Sequence, residues 1–348
     1  MKRSNKLSII CLILVFTLLL GVSISGLSAE PVIKWRLQCM GNAADSIFLA
    51  AEKFAKLATA SSGGRLQITA FPAGAITPAG KEFEGVISGS VEAAHTSPGW
   101  AVGYVPAGVF YTSSVATLTG NQMMMWMDYE GLKFAQELYA PVGLQYVGQL
   151  TVHPAEVWCH TNKPLRSVED IKGLKIRLGT TALNSIFKEM GATPVFLPGG
   201  EIYEGMQRGV IDAFEYFTPS GNWTMGFQEV IKYMYLNPSR SPSDGQSLFV
   251  NKKKWDELPA DLQLVVEMCA YKVAHEFHTE VVLQDSIAIE KFKEYGTIIE
   301  DVPQDIVDLL YEKADEYFAA ESAKDPEYAK VYESVLNFRT MCKQAGIK

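Results

Sequence analysis

The sequence predicts a two-lobed α/β fold, each lobe built on a mixed, mostly parallel sheet flanked by helices. Three observations carry the prediction. Apolar stripes of helical period alternate with short runs of period two along most of the chain. Two distant segments echo one another: Glu84-Gly85-Val86-Ile87-Ser88-Gly89-Ser90-Val91-Glu92-Ala93 aligns without gaps to Glu204-Gly205-Met206-Gln207-Arg208-Gly209-Val210-Ile211-Asp212-Ala213. And 348 residues exceed the roughly 250–300 at which a single core stops growing.

The elements follow in order. Lys2, Arg3 and Lys6 precede an apolar run from Leu7 to Val22, and small residues follow through Ser28 and Ala29. This is the layout of a secretory signal peptide occupying residues 1–29, and it predicts export. That segment holds three bases and no acid, so its removal takes the formal charge from −8 to −11. Residues 34–39 read as a strand. Ala44, Ile47, Phe48, Ala51, Phe54, Ala55 and Ala58 form the stripe of a helix, which Ser61-Ser62-Gly63-Gly64 breaks. Leu66, Ile68 and Ala70 alternate as a second strand. Phe71-Pro72-Ala73-Gly74 then turns the chain into the first copy of the echo, and Phe196-Leu197-Pro198-Gly199 stands correspondingly before the second. Each copy reads as a strand, a Pro/Gly turn, a short helix ended by glycine, and another strand. Gly89 and Gly209 suit the left-handed position that closes a helix. His95 and Glu215 then fall at equivalent strand ends, where open α/β sheets place their ligands.

In the second half, Ser167 and Asp170 cap a short turn that Gly173 closes. Leu174, Ile176 and Leu178 alternate with Lys175 and Arg177 on a strand. Residues 181–190 read as a helix stopped by Gly191, and 193–197 as a strand. From Pro259 the chain is mainly helical.

Composition removes several function classes. With 39 acidic against 31 basic side chains, a nucleic-acid footprint is not expected. No pair of the five cysteines is spaced C-x-x-C, which excludes a zinc ribbon or a thioredoxin-like motif; buried free thiols are the reading for Cys39, Cys159, Cys269 and Cys342. Ser185-Ile186-Phe187-Lys188 matches S-x-x-K without its companion motifs, and no G-x-S-x-G, H-E-x-x-H or G-x-G-x-x-G stands in a strand–helix context. The chain reads as a binding protein, not an enzyme.

One cation stands out. Arg177 ends an alternating strand just before Gly179-Thr180-Thr181 opens a helix. A guanidinium there offers a planar fork to a carboxylate. Either it anchors an organic anion, or it pairs with one of the chain's own acids, Glu156 or Glu215. Those acids beside apolar strands have a second reading of their own: with a backbone carbonyl they make a hard-oxygen site for Na⁺ or Ca²⁺.

Several of these segments together resemble the solute receptors of tripartite ATP-independent periplasmic (TRAP) transporters, the DctP-like family. They are the exported N-terminus, Phe71-Pro72-Ala73-Gly74, Glu84-Gly85-Val86 through Ala93, Val168-Glu169-Asp170-Ile171-Lys172-Gly173-Leu174-Lys175-Ile176-Arg177, and Gly209-Val210-Ile211-Asp212-Ala213. The resemblance implies a periplasmic-binding-protein-like fold closing on its ligand, a long helix spanning both lobes, a periplasmic location, and delivery to a sodium-driven membrane symporter. It implies that Arg177 forms the salt bridge to the ligand carboxylate. Glu215-Tyr216 is similar to the branch that binds 2-oxo and 2-hydroxy monocarboxylates through a cation, where an acid–aromatic pair and an upstream glutamine hold the ion. Glu156 replaces that glutamine and Tyr216 the usual tryptophan.

The expected substrate-binding set is therefore Arg177, Glu156, Trp100, Tyr104, His95 and Phe71. The expected ligands of a bridging Ca²⁺ or Na⁺ are Glu156, Glu215, Tyr216 and Asp244, and no redox cofactor is expected. Residues 30–152 with about 241–285 are expected to form the first lobe, and 153–240 with about 286–348 the second, including C-terminal helices. Those helices carry more apolar surface than one face needs, and in related receptors they mediate a homodimer; packing back onto the chain's own lobe is the alternative. Other readings of the same fold are a receptor for another small carboxylate or sulfonate without metal, and a periplasmic enzyme or sensor partner.

Overall fold

The computed structural model describes residues 31–115 and 117–347; the expected signal segment 1–29 lies outside them. The chain begins with β1 (Ile33–Cys39), α1 (Ser46–Ser61), β2 (Leu66–Phe71), α2 (Glu82–Ile87) and β3 (Ala93–Thr96). Short helical turns at Pro98–Ala101 and Pro106–Tyr111 lead to α3 (Gly120–Trp126) and α4 (Leu132–Tyr139), and then to the ten-residue β4 (Leu144–His153). The second half runs β5 (Val157–Thr161), β6 (Lys175–Arg177), α5 (Thr181–Glu189), β7 (Thr193–Val195), α6 (Ile202–Gln207), β8 (Ala213–Tyr216), α7 (Pro219–Thr224) and β9 (Tyr233–Leu236). It then returns through β10 (Asp244–Asn251) and α8 (Lys252–Asp256) to α9 (Ala260–Tyr295), β11 (Ile298–Glu300), α10 (Gln304–Ser322) and α11 (Pro326–Gln344).

Two sheets result, ordered β2-β1-β3-β10-β4 and β11-β9-β5-β8-β6-β7. Both are mixed, as expected. β1 and β3 run parallel, and β10 is antiparallel to both β3 and β4. In the second sheet β6 is parallel to β7 and β8, while β5 is antiparallel to β8 and β9. The triple β2-β1-β3 flanked by antiparallel β10 thus matches β7-β6-β8 flanked by antiparallel β5. The sequence echo is the trace of this repeat.

The glycines of the echo show what it encodes. Gly89 and Gly209 both have positive φ, 76° and 69°, a conformation that a Cβ penalises by about 1–2 kcal/mol. Gly85 and Gly205 are equivalent for a different reason: a Cβ would overlap the Thr77 side chain at the first and lie 2.8 Å from Leu197 Cδ1 at the second. The short helices therefore sit close against the preceding turn because nothing intervenes.

The chain passes between the sheets three times, twice by short connectors and once through α9, which leads from β10 to β11. Residues 154–156 carry the chain from β4 to β5, and 237–243 bring it back from β9 to β10. They run side by side, Glu156 N donating to Ser241 O at 3.1 Å. The 36-residue α9 packs on β4 and α1 of the first sheet and on α7 of the second, the spanning helix that the resemblance implied.

The C-terminal helices lie on their own chain. α10 packs on α5, and α11 on α3 and the turn Pro106–Tyr111. Phe110 sits 4.7 Å from Tyr328 and 5.3 Å from Tyr332 between ring centroids, and Trp126 Nε1 donates to Ser334 Oγ at 2.8 Å. The surplus apolar stripe is thus used internally: Phe318, Tyr328, Val331, Val335 and Phe338 are buried. Cys39, Cys159, Cys269 and Cys342 are buried and unpaired, as expected. Among the described residues no helix is long and apolar enough to cross a membrane.

Three buried histidines give the fold a predictable acid response. His95, His153 and His160 are driven by burial down to about 3, 4 and 3, respectively. His153 and His160 lie against rings, His153 stacked 5.1 Å from Phe217 and His160 4.8 Å from Phe214. The folded state keeps all three neutral, while the unfolded chain protonates them below its ordinary value of 6.5. Stability is therefore fully present above 6.5 and falls as pH drops toward 4, by about 1.4 kcal/mol per pH unit for each histidine once the unfolded state is protonated. Urea midpoints measured between pH 7 and pH 5 should fall steeply; a flat profile would contradict this account.

Candidate functional site

The first connector and the ends of β6 and β8 meet at one cavity of about 750 Å³, which the start of β10 also lines. Arg177 reaches it from the last position of β6, paired in register with Phe214 on β8 and Val195 on β7. The next residue of β8 after Phe214 is Glu215, so the sheet alone brings the two charges together. Arg177 Nη1 donates to Glu215 Oε1 at 2.9 Å and to Glu215 O at 3.0 Å, and its Nε donates to Leu197 O at 3.0 Å. β7 stops at Val195 rather than continuing to residue 197 because its partner β6 ends opposite it at Arg177. Leu197 turns its carbonyl to the guanidinium instead of to the ladder. The Tyr216 ring lies 5.6 Å from Arg177 Cζ, and Gly179 N also donates to Glu215 Oε1.

The guanidinium is 8% exposed and lines the cleft. Its Nε and Nη1 are committed to the protein, whereas Nη2 has no hydrogen-bond partner among the described residues. Of the two sequence readings of Arg177, the pairing with one of the chain's own acids is the one seen. It pairs with Glu215, and the residue also lines the cavity with Nη2 uncommitted.

The residue that sequence reasoning missed is Arg240. It lies on the second connector, is wholly buried, and joins the two acids expected to hold an ion. Nη2 donates to Glu156 Oε2 and to Val157 O, both at 2.9 Å, and Nε donates to Trp158 O at 3.0 Å. Nη1 lies 3.1 Å from Glu215 Oε2, an ion pair without the alignment of a hydrogen bond, since that nitrogen makes none. Burial acts to lower the Arg240 pKa, and the charges of Glu215 and Glu156 more than reverse it. The available signal was a lone arginine among small hydroxyls and prolines, Pro238-Ser239-Arg240-Ser241-Pro242-Ser243.

Asp244, at the start of β10, faces inward. Its Oδ1 accepts from Thr112 Oγ1 at 2.7 Å and from Ser113 N at 2.8 Å, and its Oδ2 from Gln246 Nε2 at 2.5 Å. Burial and the Glu156 charge push this carboxyl well above the ordinary range, against those hydrogen bonds. Ser113 Oγ lies 3.0 Å from Glu156 Oε2 and 2.8 Å from Ser241 Oγ.

Of the expected set, Arg177, Glu156, Trp100, Glu215, Tyr216 and Asp244 line this cavity; Trp100 is 42% exposed. His95, Tyr104 and Phe71 do not. His95 lies behind the cavity: its Nε2 contacts Thr151 Oγ1 at 3.1 Å, Thr151 donates to Gln246 Oε1 at 2.6 Å, and Gln246 reaches Asp244. The His95 side chain is spent in this internal network, so its equivalence with Glu215 is topological only. Tyr104 is 48% exposed.

The expected metal ligands fit an added ion poorly as they stand. Both oxygens of Glu215 and both of Asp244 face internal donors, as does Oε2 of Glu156, and the Tyr216 carbonyl accepts from Asn222 Nδ2. Oε1 of Glu156 is the carboxylate oxygen left over. Among the described residues no three His, Cys, Asp or Glu side chains gather into a group that could hold a metal.

Comparison with known proteins decides the family. The profile described as bacterial extracellular solute-binding protein, family 7, matches residues 40–325. The chain belongs to that family. It is a TRAP-type solute receptor, and its homologues are periplasmic receptors rather than enzymes. A monocarboxylate 2-oxoacid-binding periplasmic protein of Nostoc sp. is 28% identical over 312 residues, covering 89% of this chain and 85% of the relative. A TRAP solute-binding protein of Pseudoalteromonas atlantica with bound sodium and pyruvate superposes with a TM-score of 0.84 at 27% identity, covering 90% of this chain and 97% of that one. One from Bordetella bronchiseptica, a dimer with calcium and picolinate, superposes with a TM-score of 0.81 at 25% identity, covering 91% and 94%. No redox cofactor is indicated by these proteins.

Proposed function

We propose that this receptor binds a small monocarboxylate of the 2-oxo or 2-hydroxy acid class in the interlobe cleft, by a salt bridge to Arg177, and delivers it to the membrane subunits of a TRAP transporter. The single observation that carries the reading is the Arg177 guanidinium: buried, fixed by Glu215 and Leu197, with Nη2 making no hydrogen bond among the described residues, on a side chain that lines the cavity. A donor fork already held in place loses little side-chain entropy when a carboxylate arrives, so its charge-assisted hydrogen bonds go into affinity. The relatives that take 2-oxo acids, pyruvate and picolinate support the ligand class; each of these ligands carries one carboxylate.

A thermal-shift screen of the mature protein against lactate, pyruvate, 2-oxobutyrate, succinate and neutral sugars tests the proposal. Binding to the native state raises the melting temperature by mass action, by an amount that grows with ligand concentration over Kd. Monocarboxylates should raise it and sugars should not. Stabilisation by succinate alone would shift the class to dicarboxylates.

A further inference from the structure

We propose that the positive charge joining Glu156 to Glu215 is supplied by Arg240, so that ligand binding needs no metal ion, and that the cleft favours acids whose 2-substituent donates a hydrogen bond over the matching 2-oxo acids. The inference rests on the reading that a monocarboxylate docks on Arg177.

The first half follows from geometry. Arg240 contacts Glu156 Oε2 at 2.9 Å and Glu215 Oε2 at 3.1 Å, and its side chain is 1% exposed. A guanidinium wedged between two carboxylates occupies the position and the charge that an ion bridging them would have. It cannot lose its proton, and it is tethered to the connector by Trp158 O and Val157 O.

The second half follows from counting donors. Each N–H-bearing nitrogen of Arg240 faces the protein: Nε toward Trp158, Nη2 toward Glu156 and Val157, Nη1 toward Glu215. A bound metal ion can attract a keto oxygen, whereas Arg240 is wholly buried and does not line the cavity: its Nη1 makes no hydrogen bond, but it is held against Glu215 Oε2 and is not presented to a ligand. The hydroxyls beside it are also engaged, Thr112 to Asp244 and Ser113 with Glu156 and Ser241. What the acid side of the cleft presents is Glu156 Oε1, an acceptor without a partner among the described residues. With the ligand carboxylate on Arg177, a 2-hydroxyl can donate to that oxygen. A 2-oxo group would set one acceptor against another, and a site built to take a hydrogen bond rejects the analogue that lacks the donor.

The mature receptor, stripped with chelator in sodium-free buffer, is titrated by calorimetry with both lactate enantiomers and with pyruvate, then again with sodium or calcium added. The better lactate enantiomer should bind about tenfold or more tighter than pyruvate, and neither ion should change its affinity by more than about twofold. Glu156→Gln, whose amide can present a donor, should bring the two acids toward equal affinity. Pyruvate binding as tightly as lactate in ion-free buffer, or an ion strengthening binding by about tenfold or more, overturns the inference while leaving the carboxylate reading intact. Failure of all these acids to bind, with or without ions, overturns the carboxylate reading itself.

Discussion

Arg177→Ala should weaken binding of the preferred acid by about a hundredfold or more, about 2.7 kcal/mol. Truncating one partner of a buried, hydrogen-bonded charge pair costs about 2–5 kcal/mol, and here the lost partner is the side chain proposed to receive the ligand carboxylate. The fold should survive. Glu215 keeps the charge of Arg240 at 3.1 Å and the donated hydrogen of Gly179 N, so the stability loss should stay near the low end of the cost of an unpaired buried polar group, about 1–3 kcal/mol. Calorimetric titration reads the first effect and urea denaturation the second. Arg177→Lys separates charge from shape: it restores a cation without the planar fork and should recover only part of the affinity. Affinity unchanged in Arg177→Ala would remove this residue from the binding role.

The largest effect on stability is expected from Arg240→Met, about 3–5 kcal/mol. The side chain is about the right size for the space, so the loss is electrostatic rather than a cavity. Glu156 would keep only the Ser113 hydroxyl, Glu215 would keep Arg177, and the carbonyls of Val157 and Trp158 would lose their side-chain donor. Both acids are about 4% exposed, too buried for water to replace the guanidinium readily. Adding Glu156→Gln to Arg240→Met should recover part of the loss, because it removes the stranded charge of Glu156; a double-mutant cycle in urea measures the coupling. A loss below about 1 kcal/mol in the single variant would place the pair among exposed ion pairs of little weight.

The two arginines were unequally visible in the sequence. Arg177 stands in a strand of strict alternation, followed at once by a helix start, and that local pattern is enough to aim it at a sheet end. Arg240 stands in a connector with no period, and its partners Glu156 and Glu215 are distant in the chain. Nothing local distinguishes it from a solvated loop arginine. Asp244 was visible as an acid in the same loop, but its engagement by Thr112, Ser113 and Gln246 depends on how a turn of the first lobe packs on β10. His95 shows the opposite error. Its position in the repeat matches Glu215, yet its ring meets Thr151, which donates to Gln246, so this side chain is spent in a hydrogen-bonded interior rather than in the cleft.

Local physics was therefore sufficient for what repeats within a few residues. The period of apolar positions, the glycines that only a left-handed turn or a close helix approach requires, and the alternation around Arg177 determined the two α/β units and the place of one arginine at a strand end. Tertiary structure decided which charges neutralise which, because Coulomb attraction in a dry interior depends on distances between side chains that only chain crossing brings together. Here the decisive crossing is that of two short connectors lying side by side, which sets a buried guanidinium between two carboxylates.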